Sequence, residues 1–188
     1  MLGRAAALCL RLAGWTVVGS RPDARKMIII GYPHTSNWDL VVYVLAAWAL
    51  DVPLAWMGKD SLFRGPGGGL LQRLGGIPIH RDRRDNVVQQ MARRFDESEE
   101  LCLTITPEGT RGRVDYLKSG FYHIAVAAKV PVAFGTLDYA TKRVGFEVVH
   151  HPTGDVRRDM DAFRAAYADM VPLYPDRAGR PRLREEDE

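Results

Sequence analysis

The sequence predicts a single α/β domain in which a mostly parallel, mixed sheet is flanked by helices. Short apolar runs alternate with helical segments, no linker or internal repeat divides the chain, and its 188 residues suffice for one core. A composition of 46% hydrophobic and 26% charged residues excludes collagen-like, disordered and coiled-coil classes. The net charge of +3 is too small to indicate a nucleic-acid-binding protein.

Short runs of apolar and β-branched residues predict the strands. They span residues 27–31, 53–57, 77–80, 101–106, 132–135 and 143–149. Ligands of such sheets bind at the carboxyl ends of parallel strands. The residues that directly follow each run are therefore the first place to look for a functional site.

Helical segments are predicted between these strands. Residues 39–50 are apolar on every side, which predicts a helix that is buried or faces lipid. Residues 85–97 carry their apolar side chains on one face, which is typical of an amphipathic surface helix. Helices are also predicted at 119–129 and 155–170, and the glycine-interrupted segment 61–74 is predicted to be partly helical.

The N-terminal segment predicts an amphipathic helix over residues 1–20 that lies in a membrane interface. Arg4 and Arg11 are seven residues apart and so share one helical face, while most of their neighbours are apolar. Two alternatives remain open, namely a first helix that packs on the core and a secretory signal, although Arg11 interrupts the apolar region that a signal needs. No apolar run approaches the ~20 residues of a membrane-spanning helix.

The main domain is predicted to span residues 21–175. The tail at 176–188 is rich in charge and has little to bury, so it is predicted to be flexible. Cys9 and Cys102 are not spaced as metal ligands, and Cys102 is predicted to be a small buried hydrophobe in a strand. At most one disulfide is possible, which is typical of a reducing compartment.

The first candidate for chemistry follows the first predicted strand. Ser36 and Asp39 fit a helix capping box, and Pro33 disfavours a helix before His34, so His34 is predicted to lie on the entering loop. Asp39 could then reach back to one ring nitrogen and leave the other as a general base. The alternative is a capping aspartate beside an incidental surface histidine.

Two further candidates also follow predicted strands. In the loop after residues 101–106, Glu108 can accept a hydrogen bond, Gly109 lets backbone approach a ligand, and Arg111 can clamp an anion. A tight turn with a surface ion pair would give the same pattern. Arg81 leaves the strand at 77–80 and is a natural phosphate contact.

Four blocks in fixed order are more specific than any of them alone. They are His34-x4-Asp39, GGIPIHR at 75–81, PEGTR at 107–111 and VPV at 130–132. On these blocks, residues 27–135 resemble the lysophospholipid acyltransferase family, also called the 1-acyl-glycerol-3-phosphate acyltransferases. The resemblance implies a glycerolipid-acyltransferase-like fold. It also implies transfer of a fatty acyl group from acyl-CoA or acyl carrier protein to a lysophospholipid hydroxyl in phospholipid biosynthesis.

The resemblance also implies roles for the residues of the first two blocks. His34 would take the proton of the acceptor hydroxyl as a general base, and Asp39 would orient His34 and balance its charge. Arg81 would bind the acceptor phosphate. Lys59 and Lys118, which lie in similar connecting segments, are candidate contacts to the acyl donor or to phosphate.

The third block would bind the acceptor. Its members here are Glu108, Gly109, Thr110 and Arg111. The resemblance implies no metal and no cofactor besides the acyl donor as co-substrate. The expected partners are a lyso-lipid acceptor and acyl-CoA or acyl carrier protein, with no nucleic acid. The expected location is peripheral, on the cytoplasmic face of a membrane.

Two departures from the family pattern leave the acceptor open. His80 stands where the family usually has an acid, and the fourth block continues as Ala-Phe-Gly rather than as an aliphatic-Pro run. An aminoacyl lipid or another lyso-lipid could replace lysophosphatidic acid. A thioesterase that uses the same His-Asp pair with water, and a module that only binds phosphate or anionic lipid, also remain as hypotheses. His123, His150 and His151 are interpreted as structural or surface residues.

Overall fold

The computed structural model describes residues 2–79 and 84–187. Seven strands in this part of the chain form one sheet, and helices cover both of its faces. The strands are β1 (Thr16–Gly19), β2 (Lys26–Gly31), β3 (Leu54–Lys59), β4 (Gly76–Ile79), β5 (Leu101–Ile105), β6 (Val132–Asp138) and β7 (Arg143–His150). The α-helices are α1 (Leu2–Leu12), α2 (Asn37–Ala49), α3 (Gly68–Arg73), α4 (Arg84–Glu97), α5 (Gly120–Ala128) and α6 (Val156–Tyr167). Short 3-10 turns lie at Asp60–Phe63, Pro175–Arg177 and Arg184–Glu186.

The strand order is β1-β7-β6-β2-β5-β3-β4. Only the β6–β7 pair is antiparallel, which confirms the predicted mostly parallel, mixed sheet. Strand β2 lies at the centre, and successive side chains point to opposite faces. Ile28 and Ile30 pack in the larger core, and Met27 and Ile29 pack in a second cluster on the other face. Burial on both faces explains why this run is continuously apolar.

Strand β1 is a feature that the sequence analysis missed. It has four residues and pairs in parallel with β7 at the edge of the sheet, with Val17 opposite Val144. A short edge strand has only one neighbour to bury against, so it carries little of the apolar pattern by which a strand is recognised.

Helix α1 forms within the predicted segment and packs antiparallel on α2. Leu10 is buried in one hydrophobic cluster with Val42 and Ala46, while Gly3 lies against the carbonyl of Trp48. The same helix leaves three leucines exposed, Leu2, Leu8 and Leu12. One face of α1 is therefore part of the core and another presents apolar side chains outward. Among the described residues, no helix has the length and apolarity needed to cross a membrane.

The C-terminal tail is folded against the domain, in contrast to the flexible segment predicted from its composition. Leu183 is fully buried in the larger core. The Glu186 carboxylate accepts a hydrogen bond from the Leu183 amide and pairs with Arg164 of α6 at 2.7 Å. A single apolar anchor and its paired charges hold the segment, and average composition does not reveal such specific contacts.

Candidate active site

The carboxyl ends of the central strands, where a functional site is predicted, lie side by side at one edge of the sheet. Strands β5, β2 and β6 are parallel neighbours, with Ile30 opposite Ile105 and Gly31 opposite Gly135. The loops that follow them therefore begin side by side. They carry His34 after β2, Glu108 after β5 and Tyr139 after β6.

His34 and Asp39 contact each other directly. Their Nδ1 and Oδ2 atoms are 3.1 Å apart, and Asp39 is only 1% exposed. Oδ2 also accepts hydrogen bonds from the amides of Thr35 and Ser36, at 2.8 and 2.9 Å, which completes the capping box of α2. Asp39 therefore fits both predictions, the helix cap and the partner of His34, because one carboxylate does both.

The hydrogen bond determines which ring nitrogen is available. A carboxylate can only accept, so the shared hydrogen is on Nδ1 and the neutral ring has its lone pair on Nε2. No described residue makes a hydrogen bond to Nε2, and the His34 side chain is 19% exposed. Within the described part of the chain, Nε2 is therefore the ring nitrogen that can accept a proton from another molecule.

Asp39 remains an anion at neutral pH despite its burial. Burial alone would raise its pKa, but hydrogen bonds from His34, Ser36, Tyr139 and Thr35 outweigh that cost and hold the pKa below its usual range. The bond from Tyr139 is 2.8 Å long and reaches Oδ1, the oxygen that His34 does not use.

Glu108 is the second buried carboxyl group of the site, and it is 6% exposed. Its Oε1 accepts a hydrogen bond of 2.7 Å from the His34 backbone N–H. Its Oε2 is buried and has no hydrogen-bond partner among the described residues. Burial raises the pKa of Glu108 to about 7, so both protonation states are populated near neutral pH. An unpartnered buried oxygen beside His34 is a candidate contact for a polar group of a substrate.

The rest of the predicted acceptor loop surrounds Glu108. The Arg111 guanidinium donates to the Asn37 side chain, which ties the loop to the start of α2. Gly109 has a φ of 63°, a left-handed backbone conformation that favours glycine, and the Lys118 side chain lies where a Cβ would extend. Thr110 is exposed and accepts a weak hydrogen bond of 3.4 Å from the Gly112 amide. Arg111 and Lys118 thus bring two cations to this loop.

Two predicted contacts are not brought to His34 by the described structure. Lys59 is exposed at the end of β3, opposite Ile79. Strand β5 lies between β3 and β2, so these two strands are about 10 Å apart. Arg81 lies outside the described residues, so its placement remains a prediction. Cys102 is buried in β5, and burial raises the pKa of its thiol to about 11, which makes it a poor nucleophile. Among the described residues, no three His, Cys, Asp or Glu side chains form a metal-binding group.

The C-terminal segment braces the His34 loop, a role that the sequence analysis did not foresee. The Tyr174 amide donates to Thr35 Oγ1 and the Arg177 guanidinium donates to the Thr35 carbonyl, each at 3.3 Å. The Tyr32 hydroxyl donates to the Gly179 carbonyl at 2.7 Å. These contacts span about 140 residues of sequence, and no local spacing could have indicated them.

A second His-Asp pair lies at the opposite edge of the sheet. His150 ends β7, opposite Val132 at the start of β6, and its Nε2 is 2.9 Å from Oδ1 of Asp159. The same carboxylate accepts hydrogen bonds from the Tyr122 hydroxyl and from the backbone of Thr153. His150 is therefore part of a hydrogen-bonded cluster between β7 and α6. This agrees with its interpretation from sequence as a structural or surface residue.

Comparisons with known proteins identify a similar fold and a family. The fold is similar to the crystal structure of the 1-acyl-sn-glycerophosphate (LPA) acyltransferase PlsC from Thermotoga maritima, with a TM-score of 0.58 and 16% sequence identity. That alignment covers 89% of this chain and 77% of the other. A search of curated proteins gave no match. The model of the family named Acyltransferase matches residues 16–133, which include His34, Asp39 and the whole acceptor loop. The chain belongs to the Acyltransferase family.

Proposed function

We propose that this acyltransferase moves a fatty acyl group from an acyl thioester to a hydroxyl of a lysophospholipid, with 1-acyl-glycerol-3-phosphate as the first acceptor to test. The observation that carries the proposal is the buried Asp39 that holds His34 through Nδ1, beside Glu108, whose Oε2 has no hydrogen-bond partner among the described residues. The fold likeness to an enzyme named for 1-acyl-sn-glycerophosphate supports the choice of acceptor.

In the proposed mechanism, His34 acts as a general base. Nε2 takes the proton from the acceptor hydroxyl while that oxygen attacks the thioester carbonyl carbon. Asp39 stabilises the imidazolium that forms, because it stays ionised and lies 3.1 Å from Nδ1. The tetrahedral intermediate then expels the thiolate, which receives the proton from Nε2. The products are the new ester and the free thiol of CoA or carrier protein, and His34 returns to its starting state.

The groups around His34 would orient the acceptor. Glu108 Oε2 has no hydrogen-bond partner among the described residues and would hydrogen-bond a hydroxyl of the acceptor. Arg111 and Lys118 flank the same loop and would attract a phosphate headgroup. The proposed role of Arg81 as a phosphate ligand rests on the sequence resemblance. Lys59, at the same edge but two strands away, would contact a more distant part of the donor or acceptor.

We also propose peripheral association with the cytoplasmic face of a membrane. Helices α1 and α2 pack together and expose a set of large apolar side chains, which are Leu2, Leu8, Leu12, Trp38, Leu40, Val41 and Trp48. Arg4 and Arg11 are exposed on α1 and would contact anionic headgroups. Because α2 starts only three residues after His34, docking of this surface would place the active site next to lyso-lipids in the bilayer.

The test is a transfer assay with product identification. Purified protein is incubated with palmitoyl-CoA or palmitoyl carrier protein and a panel of lyso-lipids with and without phosphate headgroups, and mass spectrometry identifies the products. A diacyl product that disappears in the His34→Ala variant is the expected result and names the acceptor. Release of free thiol and fatty acid with no acylated lipid would contradict the proposal and indicate a thioesterase. No turnover with any donor or acceptor would also contradict it and favour a lipid-binding module.

A further inference from the structure

Tyr139 contacts the proposed catalytic pair although no sequence pattern points to it. Its hydroxyl donates a 2.8 Å hydrogen bond to Oδ1 of Asp39, while His34 and the amides of Thr35 and Ser36 share Oδ2. The two oxygens of one carboxylate are thus divided between the histidine side and the tyrosine side. Tyr139 lies beyond residues 16–133, the part of the chain that the family model matches.

The surrounding structure holds the Tyr139 ring and backbone in place. Its amide donates to the Val171 carbonyl at 2.8 Å, and the edge contact with Trp15 has ring centroids 5.0 Å apart at 83°. The preceding residue, Asp138, accepts hydrogen bonds from the amides of Ala140 and Val171, which fixes the turn after β6. A hydroxyl held in this way is a preorganised donor.

A donor on Oδ1 changes what Asp39 offers to His34. The hydrogen bond draws negative charge toward Oδ1, so less is available at Oδ2 to stabilise a protonated imidazole. Burial and the charge of Asp39 raise the pKa of Tyr139, so its hydroxyl keeps the proton that it donates. The hydrogen bond thus gives Tyr139 a route to the imidazole by way of the Asp39 carboxylate.

We propose that Tyr139 is a positioning residue for His34, which holds Oδ1 of Asp39 and draws part of the carboxylate charge away from Oδ2, the oxygen that contacts the imidazole. This inference deepens the proposed function, because it assigns a residue to the same site.

Other titratable groups also face this carboxylate or this tyrosine, and the test has to separate their effects. Besides His34 they are Tyr43 on α2, Glu108 after β5 and Tyr174 in the C-terminal segment. Tyr43 offers a matched control, because its hydroxyl lies in the same cluster of packed side chains but donates to the Gly135 carbonyl at 2.8 Å. Deleting that hydroxyl removes a buried hydrogen bond of similar length without touching Asp39.

The test is an NMR titration of 13C-labelled histidine in the free protein, with the His34 signal assigned by its loss in His34→Gln. In Tyr139→Phe, the ring and its contact with Trp15 remain while the hydrogen bond is lost. The titration midpoint of His34 is expected to rise by about 0.5 to 1 pH unit. In Tyr43→Phe it is expected to stay at the wild-type value. Trp15→Leu keeps the hydroxyl but removes its packing, so a smaller shift in the same direction is expected.

A kinetic measurement complements the titration. The acid limb of the kcat profile of Tyr139→Phe should move to higher pH by the same amount, so that turnover falls up to about ten-fold at pH 6 and approaches wild type at pH 9. An unchanged or lower His34 midpoint in Tyr139→Phe, or an equal shift in Tyr43→Phe, would overturn the inference. The NMR experiment needs no turnover, so it decides on Tyr139 even if the transfer assay contradicts the proposed function.

Discussion

The molecule contains two His-Asp pairs that are nearly equal in local geometry. The nitrogen-to-oxygen distance is 3.1 Å for His34 and Asp39 and 2.9 Å for His150 and Asp159. The two aspartates are 1% and 4% exposed, and the histidine side chains are 19% and 21% exposed. In both aspartates, hydrogen bonds outweigh the cost of burial and hold the pKa below its usual range. Distance, burial and charge alone do not distinguish the pairs.

The surroundings distinguish them. His34 lies where parallel strands end and bonds Asp39 through Nδ1, and its backbone N–H bonds Glu108, whose buried Oε2 has no hydrogen-bond partner among the described residues. His150 lies at the opposite edge, bonds Asp159 through Nε2, and its ring stacks on Phe134 at an interplanar angle of 13°. A His-Asp hydrogen bond is thus a common structural unit. The first pair is the candidate active site because it lies where parallel strands end, with Glu108 bonded to the His34 backbone.

The largest effect is expected from the aspartate of the first pair. Asp39→Asn keeps an oxygen that can accept from the Thr35 and Ser36 amides, so α2 stays capped, but it removes the charge that supports protonated His34. We expect kcat to fall by about 10²- to 10⁴-fold with little change in far-UV circular dichroism. Activity within a factor of three of wild type would contradict the assigned role of Asp39.

The next effect concerns Glu108, the second buried carboxyl group near His34. A rise of its pKa from 4.5 to about 7 means that the folded protein binds the proton more tightly than the unfolded chain, so its ionisation destabilises the fold as pH rises through that window. Glu108→Gln mimics the neutral form. It should raise the free energy of unfolding by up to about 3 kcal/mol at pH 8 and change it little at pH 4. Denaturant unfolding at the two pH values measures this difference, and equal changes at both would contradict it.

A substitution in the second pair should lower the stability of the fold and leave the turnover per folded molecule unchanged. Asp159→Asn replaces with an amide the buried carboxylate that holds the Thr153 loop, Tyr122 and His150. The free energy of unfolding should fall by about 2 kcal/mol at pH 7. Because the pKa of Asp159 is lowered, the stability it contributes is present above about pH 4 and is lost as pH falls below that value. Thermal unfolding at pH 7 and pH 3 tests this. Loss of turnover per folded molecule would contradict the contrast between the pairs.

A smaller effect is expected at the membrane surface next to the first pair. Removal of residues 1–20 would be too disruptive a test, because β1 belongs to the sheet and α1 packs on α2. The double variant Leu8→Ser and Leu12→Ser changes only exposed side chains and should weaken binding to anionic vesicles about ten-fold. Val148→Ser, at an exposed apolar position on β7, is the matched control. Equal binding of both variants in vesicle co-sedimentation would refute the role of α1.

The sequence predicts most of the fold because buried parallel strands and the helices between them leave continuous or periodic apolar patterns. It also predicts the contact between His34 and Asp39, because the capping box fixes the geometry within six residues. Tyr139, the C-terminal brace on Thr35 and the unpartnered oxygen of Glu108 leave no such signal. Each of these features depends on which strands are neighbours and on which atoms surround one side chain. Neither property produces a periodic pattern or a fixed residue spacing in the sequence.

The most direct test of the account compares the two histidines in one assay. His34→Ala and His150→Ala each remove one imidazole of similar exposure from an aspartate of similar burial. With palmitoyl-CoA and the accepted lyso-lipid at saturating concentrations, His34→Ala should lose at least about 10³-fold in kcat, while His150→Ala should stay within about three-fold of wild type per folded molecule. Equal losses in the two variants, or full activity of His34→Ala, would contradict the claim that the first pair alone carries the chemistry.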